Sequence, residues 1–178
     1  EKRGLYVLAA KFFNRACELG KFDSPSLHIQ TVYRAGKIEY LQTNLEDAIS
    51  RYKEALSLSQ DFQVTENLGN IYFSIGSVYL RRAEFSAVSK NLELAETWTK
   101  HNNQTALLYN TWSNMGVCAY RQGQFETAQK YYLRVLESLG NDVMNLPSDL
   151  QLTAQHIQMS LGVIYNDLGR PDLAKPHY

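Results

Sequence analysis

The sequence has 178 residues, enough for one ordinary domain with its own apolar core. Its 18 basic and 18 acidic residues cancel and no run of like charge stands out, which argues against nucleic-acid or anionic-membrane binding. Few prolines and glycines, no low-complexity tract and only short apolar runs argue against disorder, a transmembrane span and a signal-peptide core.

The first predicted helix covers residues 1–19, where apolar side chains recur at helical spacing. The members of this stripe are Leu5, Leu8, Ala9, Phe12, Phe13, Ala16 and Leu19. A helix boundary follows at residues 21–25, with Ser24 as the N-cap and Pro25 at the first helical position of the next helix.

Pairs of helices then recur along the chain, each with an anchor glycine on its first helix. The second helices carry a pattern of small and aromatic residues, which residues 62–102 keep only in part. Residues 25–61 carry Val32, Ala35 and Gly36, then Ala48, Tyr52 and Ala55. Residues 62–102 carry Tyr72, Ile75, Gly76 and Tyr79, then Val88, Leu92 and Ala95. Residues 103–140 carry Trp112, Met115, Gly116, Ala119 and Tyr120, then Phe125, Ala128, Tyr132 and Val135. Residues 148–178 carry Leu161, Gly162 and Tyr165, then Ala174 and Tyr178.

Local signals separate these helices. Asn44, with Asp47 three residues later, predicts a capped start of a second helix, and Gln122-Gly123-Gln124 predicts a tight turn. Residues 141–148 form the one longer connection, with Ser148 as the predicted N-cap of the helix that follows. Pro171 is expected to open the last helix.

The pattern resembles the tetratricopeptide repeat (TPR), whose signature is W-x2-L-G-x2-Y followed by A-x3-F and A. The anchor glycines are 40, 40 and 46 residues apart, against about 34 in the ordinary repeat, so longer helices are expected. Long-period arrays of this kind are similar to those of Leu-Gly-Asn-type polarity scaffolds, kinesin light chains and bacterial peptide-sensing regulators. The resemblance implies one all-α domain over residues 1–178, a right-handed superhelical solenoid of antiparallel helix pairs. Residues 1–22 match a half repeat and 148–178 a partial one, so the chain is expected to be a fragment of a longer array.

In this family the first helices line a concave groove that binds an extended or helical peptide. Counting from the anchor glycines, the resemblance implies a binding surface on this groove. Its predicted residues are Tyr33, Lys37, Tyr40, Asn70, Phe73, Arg81, Asn110, Tyr120, Arg121, His156 and Asn166. The same count also places Val117, Val163 and Asp167 in the groove. Asn70 and Asn110 are at equivalent repeat positions, where carboxamides can bracket a peptide backbone, and Arg81 with Arg121 can hold a carboxylate. The alternative is that these are ordinary solvated side chains of amphipathic helices.

No catalytic or metal-binding pattern accompanies the repeats. The histidines are scattered, and the sequence has no phosphate-binding glycine loop and no nucleophile elbow. Cys17 and Cys118 belong to separate helices and to no C-x-x-C motif, so we interpret both as packing residues in a reducing, cytoplasmic setting.

The sequence therefore predicts a non-enzymatic scaffold that binds a protein or peptide, without cofactor, nucleic acid or membrane. Two alternatives remain open. One is a ligand-sensing segment of a multidomain signalling or transcription regulator. The other is a self-association module that forms homodimers through exposed terminal helices, since terminal repeats normally carry polar caps.

Overall fold

The computed structural model describes residues 2–19, 24–140 and 145–177. These residues form nine α-helices and a closing 3-10 turn, Lys175–His177. The helices are α1 Lys2–Leu19, α2 Pro25–Leu41, α3 Leu45–Asp61, α4 Leu68–Arg81, α5 Phe85–His101, α6 Thr105–Arg121, α7 Phe125–Leu139, α8 Ser148–Asp167 and α9 Pro171–Ala174. Four of them, α2, α3, α5 and α6, are 17 residues long. The long repeat period is therefore taken up largely by longer helices, as the glycine spacing predicted.

Helix starts follow the sequence signals in part. The Ser24 hydroxyl accepts a hydrogen bond from the Leu27 backbone N–H, with Pro25 in the first turn, as predicted. Asn44 occupies the N-cap position of α3, but its side chain caps nothing and donates instead to the Glu39 carboxylate at 2.8 Å. The predicted capping role of Ser148 is also wrong, since Ser148 is the first residue of α8 and Pro147 precedes it.

One backbone turn closes six of the helices. In each, a residue with positive φ follows the helix, and the next N–H bonds to the carbonyl five residues back at 2.8–3.0 Å. The positive-φ residues are Thr43, Gln63, Ala83, Asn103, Gly123 and Gly169. Only two of the six are glycine, so in the other four turns a residue with a side chain adopts a backbone conformation that is sterically unfavourable for it.

The chain divides into two compact units, residues 1–87 and 88–178, with the boundary inside α5. In the first unit α1 packs on α2, α2 on α3 and α3 on α4. Its core contains the predicted packing residues Val32, Ala48, Tyr52, Ala55 and Ile75, all buried. The anchor glycine Gly36 has no room for a side chain, because a Cβ there would lie 2.8 Å from the Tyr52 ring.

The second unit repeats this construction. Helix α6 packs on α7, α7 on α8, and α8 on α9. The predicted packing residues Trp112, Met115, Ala128, Tyr132 and Val135 are buried. A Cβ added to Gly116 would lie 2.6 Å from the Tyr132 ring, so this glycine too permits close contact of two helices. Tyr178, predicted as a packing residue, lies outside the described residues.

Helix α1 departs from its predicted stripe. Leu8 and Phe12 are 52% and 68% exposed, because the faces that carry them have no packed partner in the described chain. Within the described part of the chain, no helix combines the length and the apolar character needed to cross a membrane.

Candidate functional site

Tyr33 lies on α2 and is held by neighbours inside the first unit. Its hydroxyl is 3.1 Å from Ser74 Oγ of α4, and its ring centroid is 5.6 Å from that of Tyr52. Burial raises the pKa of Tyr33, and the hydrogen bond with Ser74 offsets only part of this effect. The side chain therefore contributes to packing as well as to the predicted surface.

Tyr40 and Arg81, both predicted surface residues, are brought together. The Arg81 guanidinium carbon lies 4.0 Å from the centroid of the Tyr40 ring, a cation–π contact. Arg81 Nη1 also donates to the Tyr40 carbonyl at 3.4 Å. This contact joins the C-terminal ends of α2 and α4 and places a fixed positive charge there.

The remaining predicted residues of the first unit differ in exposure. Lys37 of α2 is exposed, whereas Asn70 and Phe73 of α4 are half-buried. The Phe73 carbonyl accepts a hydrogen bond from Ser77 Oγ at 2.9 Å. The Lys37 side chain is thus accessible to a ligand, whereas only part of the Asn70 and Phe73 side chains is accessible.

In the second unit Tyr120 of α6 bridges to α8. Its hydroxyl donates to Asp167 Oδ2 at 2.9 Å, and its ring lies 5.5 Å from that of Phe125. The hydrogen bond with Asp167 raises the pKa of Tyr120, and burial adds to this effect. Repeat position predicts that both Tyr120 and Asp167 face the groove, but it does not predict the bond between them.

A cleft of about 310 Å³ lies beside this bridge. Its lining comes from α6, α7 and α8 and is largely apolar. The lining residues are Val117, Tyr120, Arg121, Tyr132, Ser160, Val163 and Ile164. Repeat position assigned four of these to the groove: Val117, Tyr120, Arg121 and Val163. The other three were missed because their place in the lining depends on how three helices pack.

Three predicted residues of the second unit lie on the surface. Asn110 of α6 and His156 and Asn166 of α8 are all exposed. Met159 and Val163, which follow His156 on α8, are 59% and 41% exposed. The face of α8 thus combines exposed apolar side chains with polar ones.

A polar cluster that the sequence did not predict surrounds Glu96 of α5. Glu96 Oε1 accepts hydrogen bonds from Trp112 Nε1 at 2.9 Å and Lys100 Nζ at 2.7 Å, and lies 3.2 Å from Arg134 Nη1. The Arg134 guanidinium stacks 3.9 Å above the Trp112 ring. Burial acts to raise the pKa of Glu96, but the hydrogen bonds from Lys100 and Trp112 and the charge of Arg134 outweigh it and lower the pKa. The cluster ties α5, α6 and α7 together.

Cys118 is a buried free thiol beneath a recess of about 100 Å³. Gln122 Nε2 lies 3.3 Å from its Sγ. Burial raises the pKa of the thiol, with hydrogen bonds from Ser89 and Gln122 opposing the effect, so the reactive thiolate is disfavoured at neutral pH. Among the described residues, no group of three or more His, Cys, Asp or Glu is arranged to hold a metal ion.

The family model that matches the chain is that of the tetratricopeptide repeat, over residues 109–142. This segment contains α6 from Tyr109 onward, the tight turn at Gly123 and α7. No curated protein sequence matches the chain.

Solved structures are similar over almost the whole chain. BtubC (BKLC) from P. vanneervenii is 16% identical, with a TM-score of 0.83 over 99% of this chain and 71% of that one. A Rap protein complexed with competence and sporulation factor is 16% identical, with a TM-score of 0.77 over 99% and 48%. A STAND ATPase with a tetratricopeptide repeat sensor from Pyrococcus horikoshii is 17% identical, with a TM-score of 0.75 over 94% and 26%.

The chain thus spans about half of the Rap structure and about a quarter of the STAND protein. At these identities the likeness concerns the fold. Together with the matched repeat, it confirms the fold class predicted from the sequence. Residues 109–142 form a tetratricopeptide repeat, and the chain has the all-α fold of proteins built from such repeats.

Proposed function

We propose that this chain is a protein- or peptide-binding module whose ligand lies on the first helices of the pairs. The observation that carries the proposal is the face of α6 and α8, where exposed Met159 and Val163 adjoin a cleft and a rim of polar side chains. Exposed apolar patches with polar rims are typical of interaction sites. The tyrosine and arginine side chains beside them are residue types enriched in binding hot spots.

The surface is largely preformed on each unit. Tyr120 is held by Asp167 and Phe125, and Arg81 by the Tyr40 ring. Ordering flexible side chains costs about 0.5–1.5 kcal/mol each on association, so fixing them beforehand favours binding. Asn70 and Asn110 remain the proposed contacts to a peptide backbone.

The test is selection of linear peptides from a displayed random library on the immobilised chain. Enriched peptides are synthesised and titrated against a variant with Lys37, Asn110 and His156 replaced by alanine. The matched control replaces Lys53, Lys90 and Lys130, exposed residues of the second helices. Weaker binding to the first variant alone supports the proposal. Equal binding to both, or no enrichment, contradicts it.

Asn70 and Asn110 are tested by a double alanine variant. A tenfold or greater loss of affinity, with an unchanged circular dichroism spectrum, is expected if both carboxamides bond the peptide backbone. An unchanged affinity would mean that neither carboxamide contacts the peptide and that both are ordinary solvated surface residues.

A sensing role is the second candidate, because two of the similar structures are a Rap protein complexed with competence and sporulation factor and a STAND protein with a repeat sensor. Its test is whether the gene encodes a signalling or DNA-binding domain next to this segment, and whether a peptide ligand of the segment changes the activity of that domain. We propose further that the segment acts in the cytoplasm without a catalytic role of its own, and that it binds neither nucleic acid nor a membrane.

Self-association is the third candidate, favoured by exposed Val7, Leu8 and Phe12 on α1. Light scattering over a range of concentrations, with Phe12→Asp as the disrupting variant, tests it. A wild type that stays monomeric throughout excludes this role.

A further inference from the structure

The cleft between α6 and α8 has an apolar floor. Tyr132 and Ile164 lie at its base and are 3% and 1% exposed. Polar atoms of the lining have partners within the protein: Ser160 Oγ donates to the His156 carbonyl at 2.8 Å, and the Tyr120 hydroxyl donates to Asp167 Oδ2 at 2.9 Å. A group that enters the cleft therefore contacts mainly carbon atoms. A polar group there would lose its hydrogen bonds to water without replacement.

The size of the cleft limits what can enter. Its volume of about 310 Å³ is at the lower end of the range of roughly 300–1,000 Å³ typical of small-molecule sites. The lining residue Val163 is itself 41% exposed, so the cleft is accessible to solvent. These properties suit one bulky side chain of a longer ligand better than a whole cofactor.

One charge lies on the lining. Arg121, at the C-terminal end of α6, is exposed and is the only ionisable residue with a formal charge at neutral pH among the described lining residues. Tyr120 beside it is oriented by its bond to Asp167. A guanidinium fork matches the geometry of a carboxylate and can bond both of its oxygens.

We infer that the cleft holds an aliphatic or aromatic side chain of a linear peptide, and that an acidic side chain next to it in the peptide pairs with Arg121. This inference rests on the proposed function and names the class of ligand that function would recognise. The apolar residue provides most of the affinity, and the acidic residue provides the preference among peptides.

The probes are four synthetic pools of octapeptides, amidated at the C-terminus so that no terminal carboxylate is present. The two central residues are fixed as Leu-Asp, Leu-Asn, Leu-Lys or Ser-Asp, and the other positions are random. Affinities are measured by fluorescence anisotropy, and methyl NMR shifts of Val117, Val163 and Ile164 locate the bound peptide.

The expected order is Leu-Asp first, with Leu-Asn about two- to fivefold weaker, as for the loss of an exposed ion pair. Ser-Asp should be weaker than Leu-Asp by about tenfold or more, because it has no apolar side chain to bury. Arg121→Glu should reverse the charge preference, so that Leu-Lys exceeds Leu-Asp. A loss of folding cannot produce such a reversal.

Val163→Asp should weaken Leu-Asp by at least about tenfold, while Leu152→Asp on the same helix should leave it unchanged. Leu152 is a matched control because it is exposed but does not line the cleft. Peptides that bind without these preferences, or without shifting the cleft methyls, overturn the inference and leave the proposed function standing. Failure of every pool, together with failure of the random-library selection, overturns both.

Discussion

Gly116→Ala tests whether close contact of α6 and α7 holds the second unit together. The added Cβ would lie 2.6 Å from Tyr132 Cε1 and 2.9 Å from Cζ, whereas carbon atoms prefer about 3.5–4.0 Å. The ring must therefore retreat by about 1 Å, although it is almost fully buried. Overpacking of a core costs about 1–3 kcal/mol. Because the Tyr132 ring is almost fully buried, we expect a cost in the upper part of this range, about 2–3 kcal/mol. Alanine recovers about 1 kcal/mol through its higher helix propensity, which leaves a net loss of about 1–2 kcal/mol.

The assay is urea denaturation followed by tryptophan fluorescence. Both tryptophans of the chain, Trp98 and Trp112, belong to the second unit, so the signal reports on that unit even if the two units unfold separately. The control is Gly4→Ala, at a helical glycine where an added Cβ meets no atom within 4 Å. That variant should not lower the midpoint of the fluorescence transition, because the higher helix propensity of alanine is not opposed by a clash.

A double variant separates the clash from other effects of the substitution. Tyr132→Leu alone should be destabilising, because it leaves space in the core. Combined with Gly116→Ala, it should cost less than the sum of the two single changes, since the leucine makes room for the new methyl group. Additive costs, or a Gly116→Ala variant as stable as the wild type, would refute the reasoning.

Further predictions concern turns, charge and packing. Ala83→Gly should stabilise the chain by up to about 1 kcal/mol, and Gly123→Ala should destabilise it by a similar amount, because both positions have positive φ; thermal melts with opposite shifts would check this. Glu96→Gln should cost about 1–3 kcal/mol at pH 7. Because folding lowers the pKa of Glu96, the stabilisation is full above its ordinary value of 4.5 and is lost as the pH falls below it, so urea midpoints of variant and wild type should converge in acid. A constant gap would contradict this. Tyr33→Phe should cost about 1 kcal/mol by removing the bond to Ser74, and Ser74→Ala should abolish that difference in a double-mutant cycle.

Part of the candidate site follows from the sequence and part does not. Repeat position alone assigned Val117, Tyr120, Arg121 and Val163 to one face, because residues at equivalent positions of stacked helix pairs point the same way. It did not predict that the Tyr120 hydroxyl bonds to Asp167, or that Tyr132 and Ile164 form a floor. Those features depend on the distance and rotation between α6, α7 and α8, which no single helix encodes.

The sequence by itself determined the helix pairs, their period and their packing residues, since apolar spacing, anchor glycines and turn residues are local signals. Residues such as Gly36, Tyr52, Gly116 and Tyr132 pack as the pattern predicted. Only the tertiary structure decided the polar contacts: Asn44 binds Glu39 instead of capping α3, and Glu96 joins Trp112 and Arg134. The physical reason is that apolar burial is roughly proportional to area and follows helical periodicity, whereas hydrogen bonds and ion pairs need particular distances between side chains far apart in sequence.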